Sequence, residues 1–369
     1  MEGPVSASVK VMKQHSQRLF GLDLLRALAI ISVVAGHFFM NTKFASTIFN
    51  TPSMLAQGIC QYLFTSIGVP LFLMLTGYLN CRKKFERGYY PRIGRVLLDY
   101  LVISIITYLV LEFHNGYSLK DLIKGVLSFH TINYAWYIEM YVGLFLLIPF
   151  LNIMWNELVT KYNTTGALCW IATLMLLSSL PDFTNRYGFY FLPAYWNKLW
   201  ILVYYFTGAY IRTFHGEQQP VWFLEHKKIL VLLSSGICIF NAIISFCFFS
   251  HHDYVALLGG SPSPAAVILC FIIFLSLDKA KGFKILDVPV SILAKYSLDI
   301  YLFSYLFDQL IYPWVMKHLF VSQSQIFIWY VPIVGTVLIC SLTASIVKEK
   351  LFAGGRFIWN KVYESCHRP

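Results

Sequence analysis

Charge is what this sequence lacks. Asp, Glu, Lys and Arg make up 13% of its 369 residues, against 57% hydrophobic. A soluble domain usually carries about 25% charged residues. So few charges cannot solvate a surface of this size, so apolar side chains must face lipid as well as one another. A soluble architecture is excluded.

Other absences narrow the function. There is no GxSxG, no GxxxxGK[ST] and no HExxH, which removes serine-elbow, P-loop and zincin chemistry. None of the eight cysteines forms a CxxC pair; most sit in apolar runs and read as small buried hydrophobes. The net charge is +11, yet no basic patch interleaved with aromatics lies outside the apolar segments, so a nucleic-acid partner is not expected. No internal repeat or linker divides the chain, which argues against a transporter of two related halves. Residues 1–18 are polar and hold no short apolar stretch with a cleavage site, so the first apolar run is expected to be a retained helix.

What is present is a series of apolar runs of spanning length. They cover roughly 19–40, 61–80, 95–113, 135–154, 166–181, 196–213, 228–249, 264–278, 289–312 and 325–347, the fifth and eighth being short. Turn residues separate them, as in Asn50-Thr51-Pro52-Ser53 and Gly259-Gly260-Ser261-Pro262. Basic residues then give a direction. With both termini inside, 22 Lys and Arg fall on the inner side and six on the outer, with Arg26 inside a helix. That asymmetry is the positive-inside pattern. The expected fold is all-α: a polytopic membrane bundle of about ten helices with cytoplasmic tails 1–18 and 348–369 around a transmembrane domain 19–347.

Ionisable groups inside apolar runs each cost at least ~2.5 kcal/mol, so each needs a partner or a wet cavity. Arg26 and His37 are eleven residues apart in the first run. That is about three helical turns, so both share one face, separated along the axis by roughly 16 Å. Asp23 lies one turn before Arg26 and can pair with it. A structural ion pair for Arg26 and a hydrogen-bonded core histidine for His37 are the bland alternatives; the shared stripe favours a functional cavity. Glu139 stands near the outer end of the fourth run, where it either faces interfacial water or joins the path. Asp299 and Asp308 in the ninth run are read as partners of Lys295 or of helix ends. His251-His252-Asp253 lacks further ligands at metal spacing, so no metal site is expected. In the second run Pro70 interrupts the hydrogen-bond ladder and Gly77 permits close approach, features that often border a cavity. The basic stretch from Arg82 follows on the inner side, as anchoring or as a phosphate site.

These residues resemble the membrane acyltransferase-3 family. Asp23-Leu24-Leu25-Arg26 followed by His37 is similar to its Arg-x10-His signature. Gly68-Val69-Pro70-Leu71-Phe72 with Thr76-Gly77-Tyr78 is similar to its second-helix motif, and Arg92-Ile93-Gly94-Arg95 to the basic start of its third helix. Trp136 to Pro149 has the fourth-helix spacing, and Ser297-Leu298-Asp299-Ile300-Tyr301-Leu302 resembles the ninth-helix motif. The match runs from about residue 20 to 350, nearest to the stand-alone branch exemplified by enterobacterial common antigen O-acetyltransferase. Two positions depart from the pattern: Ser304 where many members have histidine, and Tyr141 where some branches have glutamate.

The resemblance implies a multi-pass protein of the cell (inner or plasma) membrane. It would transfer an acyl group, usually acetyl, from cytoplasmic acyl-CoA to a hydroxyl of a surface polysaccharide or lipid-linked glycan. Such transfer needs a base for the hydroxyl proton and a stabiliser for the oxyanion. His37 suits the base, or else attacks the thioester and relays the acyl group as an acyl-imidazole. Arg26 and Glu139 complete the expected catalytic set. Arg26, Arg92 and Arg95 would hold the thioester end and phosphates of acetyl-CoA, with Tyr78 and Trp136 beside them. The main alternative is a proton-coupled transporter with Arg26, His37 and Glu139 along its path.

Overall fold

In the computed structural model the described residues are 4–366, apart from 115, 187, 189, 191, 216–220 and 249–259; the cluster at 251–253 lies outside them. The helices are α1 (Pro4–Asn41), α2 (Pro52–Asn80), α3 (Ile93–Leu111), α4 (Leu119–Leu127), α5 (Trp136–Arg186) and α6 (Trp200–His215). They continue as α7 (Val221–Phe248), α8 (Pro264–Leu277), α9 (Lys284–Lys295), α10 (Ser297–His318), α11 (Gln323–Ile326) and α12 (Tyr330–Cys366). No β-strand occurs among the described residues. Among the described residues, five helical segments are long and apolar enough to cross a membrane: 20–41, 52–80, 90–111, 133–181 and 323–353. Residues 228–244 and α8 are shorter apolar stretches.

α1 and α12 extend well beyond the first and last apolar runs, and three other boundaries differ from the apolar pattern for a local reason. α2 begins at Pro52, not near residue 61, because Thr51 caps it, accepting a hydrogen bond from the Met54 amide at 3.2 Å, and proline fits the first turn. The fourth and fifth runs form one long helix with a kink at Asn163 (φ 54°), a residue type that tolerates positive φ. The ninth run is broken at Tyr296 (φ −97°, ψ 10°). α9 lies against α1, and α10 packs on α1, α3 and α12.

α2 is the axle, packed most extensively on α1 and α6. Glycines set these approaches. A Cβ on Gly77 would stand 1.9 Å from the Tyr205 carbonyl oxygen, and one on Gly208 would stand 1.9 Å from that of Met74. The two backbones touch reciprocally, as small residues allow between membrane helices. Across the α1–α2 contact, a Cβ on Gly68 would lie 2.9 Å from Val33 Cγ2. On the other side of α1, helix α10 packs between α1, α3 and α12. That arrangement brings the polar face of α1 opposite α10 and the start of α5.

Candidate active site

Two ionisable residues on one face of α1 anchor the site. Arg26 is half-buried and forms an ion pair with Asp23 at 3.0 Å, one turn earlier. His37 is buried, and its Nδ1 lies 3.4 Å from Oδ2 of Asp308 on α10. That distance is slightly long for a direct N–H···O hydrogen bond. Oδ2 already accepts from the Tyr134 hydroxyl at 2.8 Å and the Asn41 amide at 3.2 Å. The Asn41 amide also reaches Tyr134 Oη and the His37 carbonyl, both at 2.9 Å, locking the last turn of α1 to the carboxylate. Asp308 is 1% exposed, and its second oxygen, Oδ1, has no hydrogen-bond partner. A buried carboxylate is tolerated only with such donors and a nearby cationic or ionisable group.

Tyr134 comes from a short 3-10 turn, Asn133–Ala135, that leads into α5. Its ring is 3.8 Å from the His37 imidazole and edge-on to Tyr305 at 5.1 Å. The hydroxyl of Tyr301 donates to the Tyr134 carbonyl. The imidazole therefore has an aromatic face against it, with the Asp308 carboxylate near Nδ1 but not hydrogen-bonded to it.

Toward the N-terminal end of α1 from this layer lies a cavity of ≈ 230 Å³. Arg26 and Val33 line it from α1, Thr76 and Asn80 from α2, Val96 from α3, Tyr137 and Tyr141 from α5, and Ser297 and Tyr301 from α10. Along α1 it runs from Arg26 to Val33, stopping one turn, about 6 Å, short of His37. Mostly apolar walls with spaced hydroxyl, amide and guanidinium groups suit an elongated, partly polar ligand.

The other expected site residues fall elsewhere. Glu139 and Trp136 are exposed, and neither lines the cavity. Arg92 and Arg95 are exposed at the start of α3, next to Val96 on the cavity wall. Tyr78 is buried on the opposite side of α2, where its hydroxyl accepts from Arg212 at 3.4 Å and its ring lies 5.2 Å under that guanidinium. Tyr141, one of the two departures from the motif pattern, does line the cavity; Ser304 is buried and donates to the Tyr301 carbonyl at 2.8 Å.

Asp299 and Asp308 do not pair with Lys295. Asp299 meets Lys348 at 2.7 Å, and Lys295 meets Glu349 at 2.7 Å. Nine helical residues place two side chains on opposite faces, so the two aspartates cannot share a partner. That spacing separates the two acids in the sequence but does not point Asp308 to His37. Tyr134 and Asn41 carry no such signal either.

A family model described as an acyltransferase domain matches residues 19–345. No curated protein and no solved structure matches the chain.

Proposed function

Because the chain belongs to the acyltransferase-3 family, we propose that this multi-pass membrane acyltransferase is an O-acyltransferase. It moves a short acyl group from acyl-CoA to a hydroxyl of a surface polysaccharide or lipid-linked glycan. The observation that carries this reading is the buried His37–Asp308 pair one turn beyond a cavity that begins at Arg26.

Asp308 at Nδ1 favours the tautomer with its proton there, leaving Nε2 as the basic nitrogen. His37 takes the proton of the acceptor hydroxyl as its oxygen attacks the thioester carbonyl. The tetrahedral oxyanion collapses, the carbon–sulfur bond breaks, and the imidazolium returns the proton to the leaving thiolate. Asp308 stabilises the transient imidazolium. Arg26 lies at the far end of the cavity from His37 and acts on the donor arm; Arg92 and Arg95 at its inner rim hold donor phosphates. Exposed Glu139 is left out of this scheme, which also weakens the proton-relay alternative that placed it on the path.

The reading includes ten spans with both termini and the donor on the cytoplasmic side of the cell membrane. The distribution of basic residues supports that orientation. One experiment tests donor, chemistry and direction together. Labelled acetyl-CoA, which does not cross membranes, is given to sealed vesicles of both orientations containing the glycan acceptor. Inside-out vesicles are expected to label glycan, and His37→Ala or Arg26→Ala to abolish the label. Labelling only of right-side-out vesicles would overturn the orientation, and equal labelling by His37→Ala would overturn the chemistry.

A further inference from the structure

Two tyrosines stand among the residues at the end of the cavity toward His37. Tyr137 and Tyr301 line that end and meet edge to face, ring centroids 5.6 Å apart. Neither ring is free to swing. Tyr137 stacks on Tyr141 at 6.1 Å and leans on Phe72 at 6.2 Å. Tyr301 is buried and tied through its hydroxyl to the Tyr134 carbonyl. Tyr134 in turn is fixed by Asp308 and by the face of His37. The rings that close the cavity and the groups that hold the base are thus one connected layer.

We propose that Tyr137 and Tyr301 set the length of the acyl group, admitting a short chain of two or three carbons and rejecting longer ones. The inference rests on the reading that the cavity takes the thioester-bearing arm of the donor. With that arm in place, the acyl group is the part that meets the two rings. The gap from Val33 to His37 is a single helical turn, so only a short acyl group fits between the rings and reaches the imidazole. A longer chain must displace packed rings, one of them hydrogen-bonded. One excess methylene in a tight apolar pocket changes discrimination by about 10-fold or more.

The test uses the full-length protein in lipid nanodiscs and unreactive S-ethyl, S-butyl and S-hexyl thioethers of CoA, with binding read by calorimetry. The wild type is expected to bind S-ethyl-CoA at least ~10-fold more tightly than S-hexyl-CoA. Tyr137→Ala and the milder Tyr137→Leu should close most of that gap by improving S-hexyl binding. Leu79→Ala, at the inner end of the cavity, should shift all three affinities alike. Equal binding of the three thioethers by the wild type overturns the proposal, as does a gap that Leu79→Ala narrows as much as Tyr137→Ala does. Loss of length selectivity with S-ethyl binding intact leaves the donor reading standing. Failure of every thioether to bind overturns the donor reading and the acyl ruler together.

Discussion

Asp308 Oδ2 stands 3.4 Å from His37 Nδ1, linking α10 to α1 across most of the chain. The carboxylate also holds Tyr134 and Asn41, so it orients the imidazole through three contacts at once. Asp308→Asn keeps the shape but reverses the preference at Nδ1, since an amide can donate as well as accept. The expected result is a fall in kcat of about 10²–10⁴ with KM for acyl-CoA little changed. Asp308→Glu should recover part of the rate. A merely structural role would instead lower both parameters, or the amount of folded protein, without a selective loss of kcat. Steady-state kinetics with purified protein decide between the two.

Much of this arrangement is legible in one dimension, and what is not has a physical cause. The apolar runs find the helices because lipid-facing and buried faces are both hydrophobic, which needs no knowledge of packing. Arg26 and His37 are visible because their cost in hydrocarbon is local. Their partners are another matter. Asp308 follows α1 by most of the chain, and only the tertiary packing of α10 on α1 brings it to His37. Tyr134 resembles any interfacial tyrosine until its 3-10 turn places the ring on the imidazole. Glu139 shows the reverse: an acid at a suggestive position in sequence is exposed and does not line the cavity. Tyr296 breaks the ninth run without any proline or glycine at the break, so composition gives no warning there.

At the end of α6, burial and the neighbouring Lys279 ammonium push the His215 imidazole below its ordinary value. Lys279 Nζ donates to the His215 carbonyl at 2.9 Å, which fixes the cation there. Protonation of His215 is therefore easier in the unfolded chain, where imidazole titrates near ~6.5. Stability from this group is whole above that value and is lost as pH falls from it through the lower folded value. Thermal melts in nanodiscs between about pH 7.5 and pH 5 should show a decline that His215→Asn flattens. Parallel declines in the two proteins would assign the acid sensitivity to other groups.

Lys348 presents the sharpest stability test, because it is buried and serves two carboxylates on two helices. Its ammonium meets Asp99 of α3 at 2.6 Å and Asp299 of α10 at 2.7 Å, with the lysine itself on α12. Only 7% of the side chain is exposed. Removing the shared cation leaves two acids facing each other with Arg95 as the remaining nearby cation, and breaking a buried pair in this way typically costs about 3–5 kcal/mol. Lys348→Met is accordingly expected to lower the melting temperature strongly and reduce the yield of folded protein. The loss comes from uncompensated charge more than from lost packing, since methionine fills similar space. Adding Asp99→Asn and Asp299→Asn to Lys348→Met should then restore much of the stability, because neutral side chains need no cation. A triple variant no more stable than Lys348→Met would show that the lysine holds α12 by contact rather than by charge.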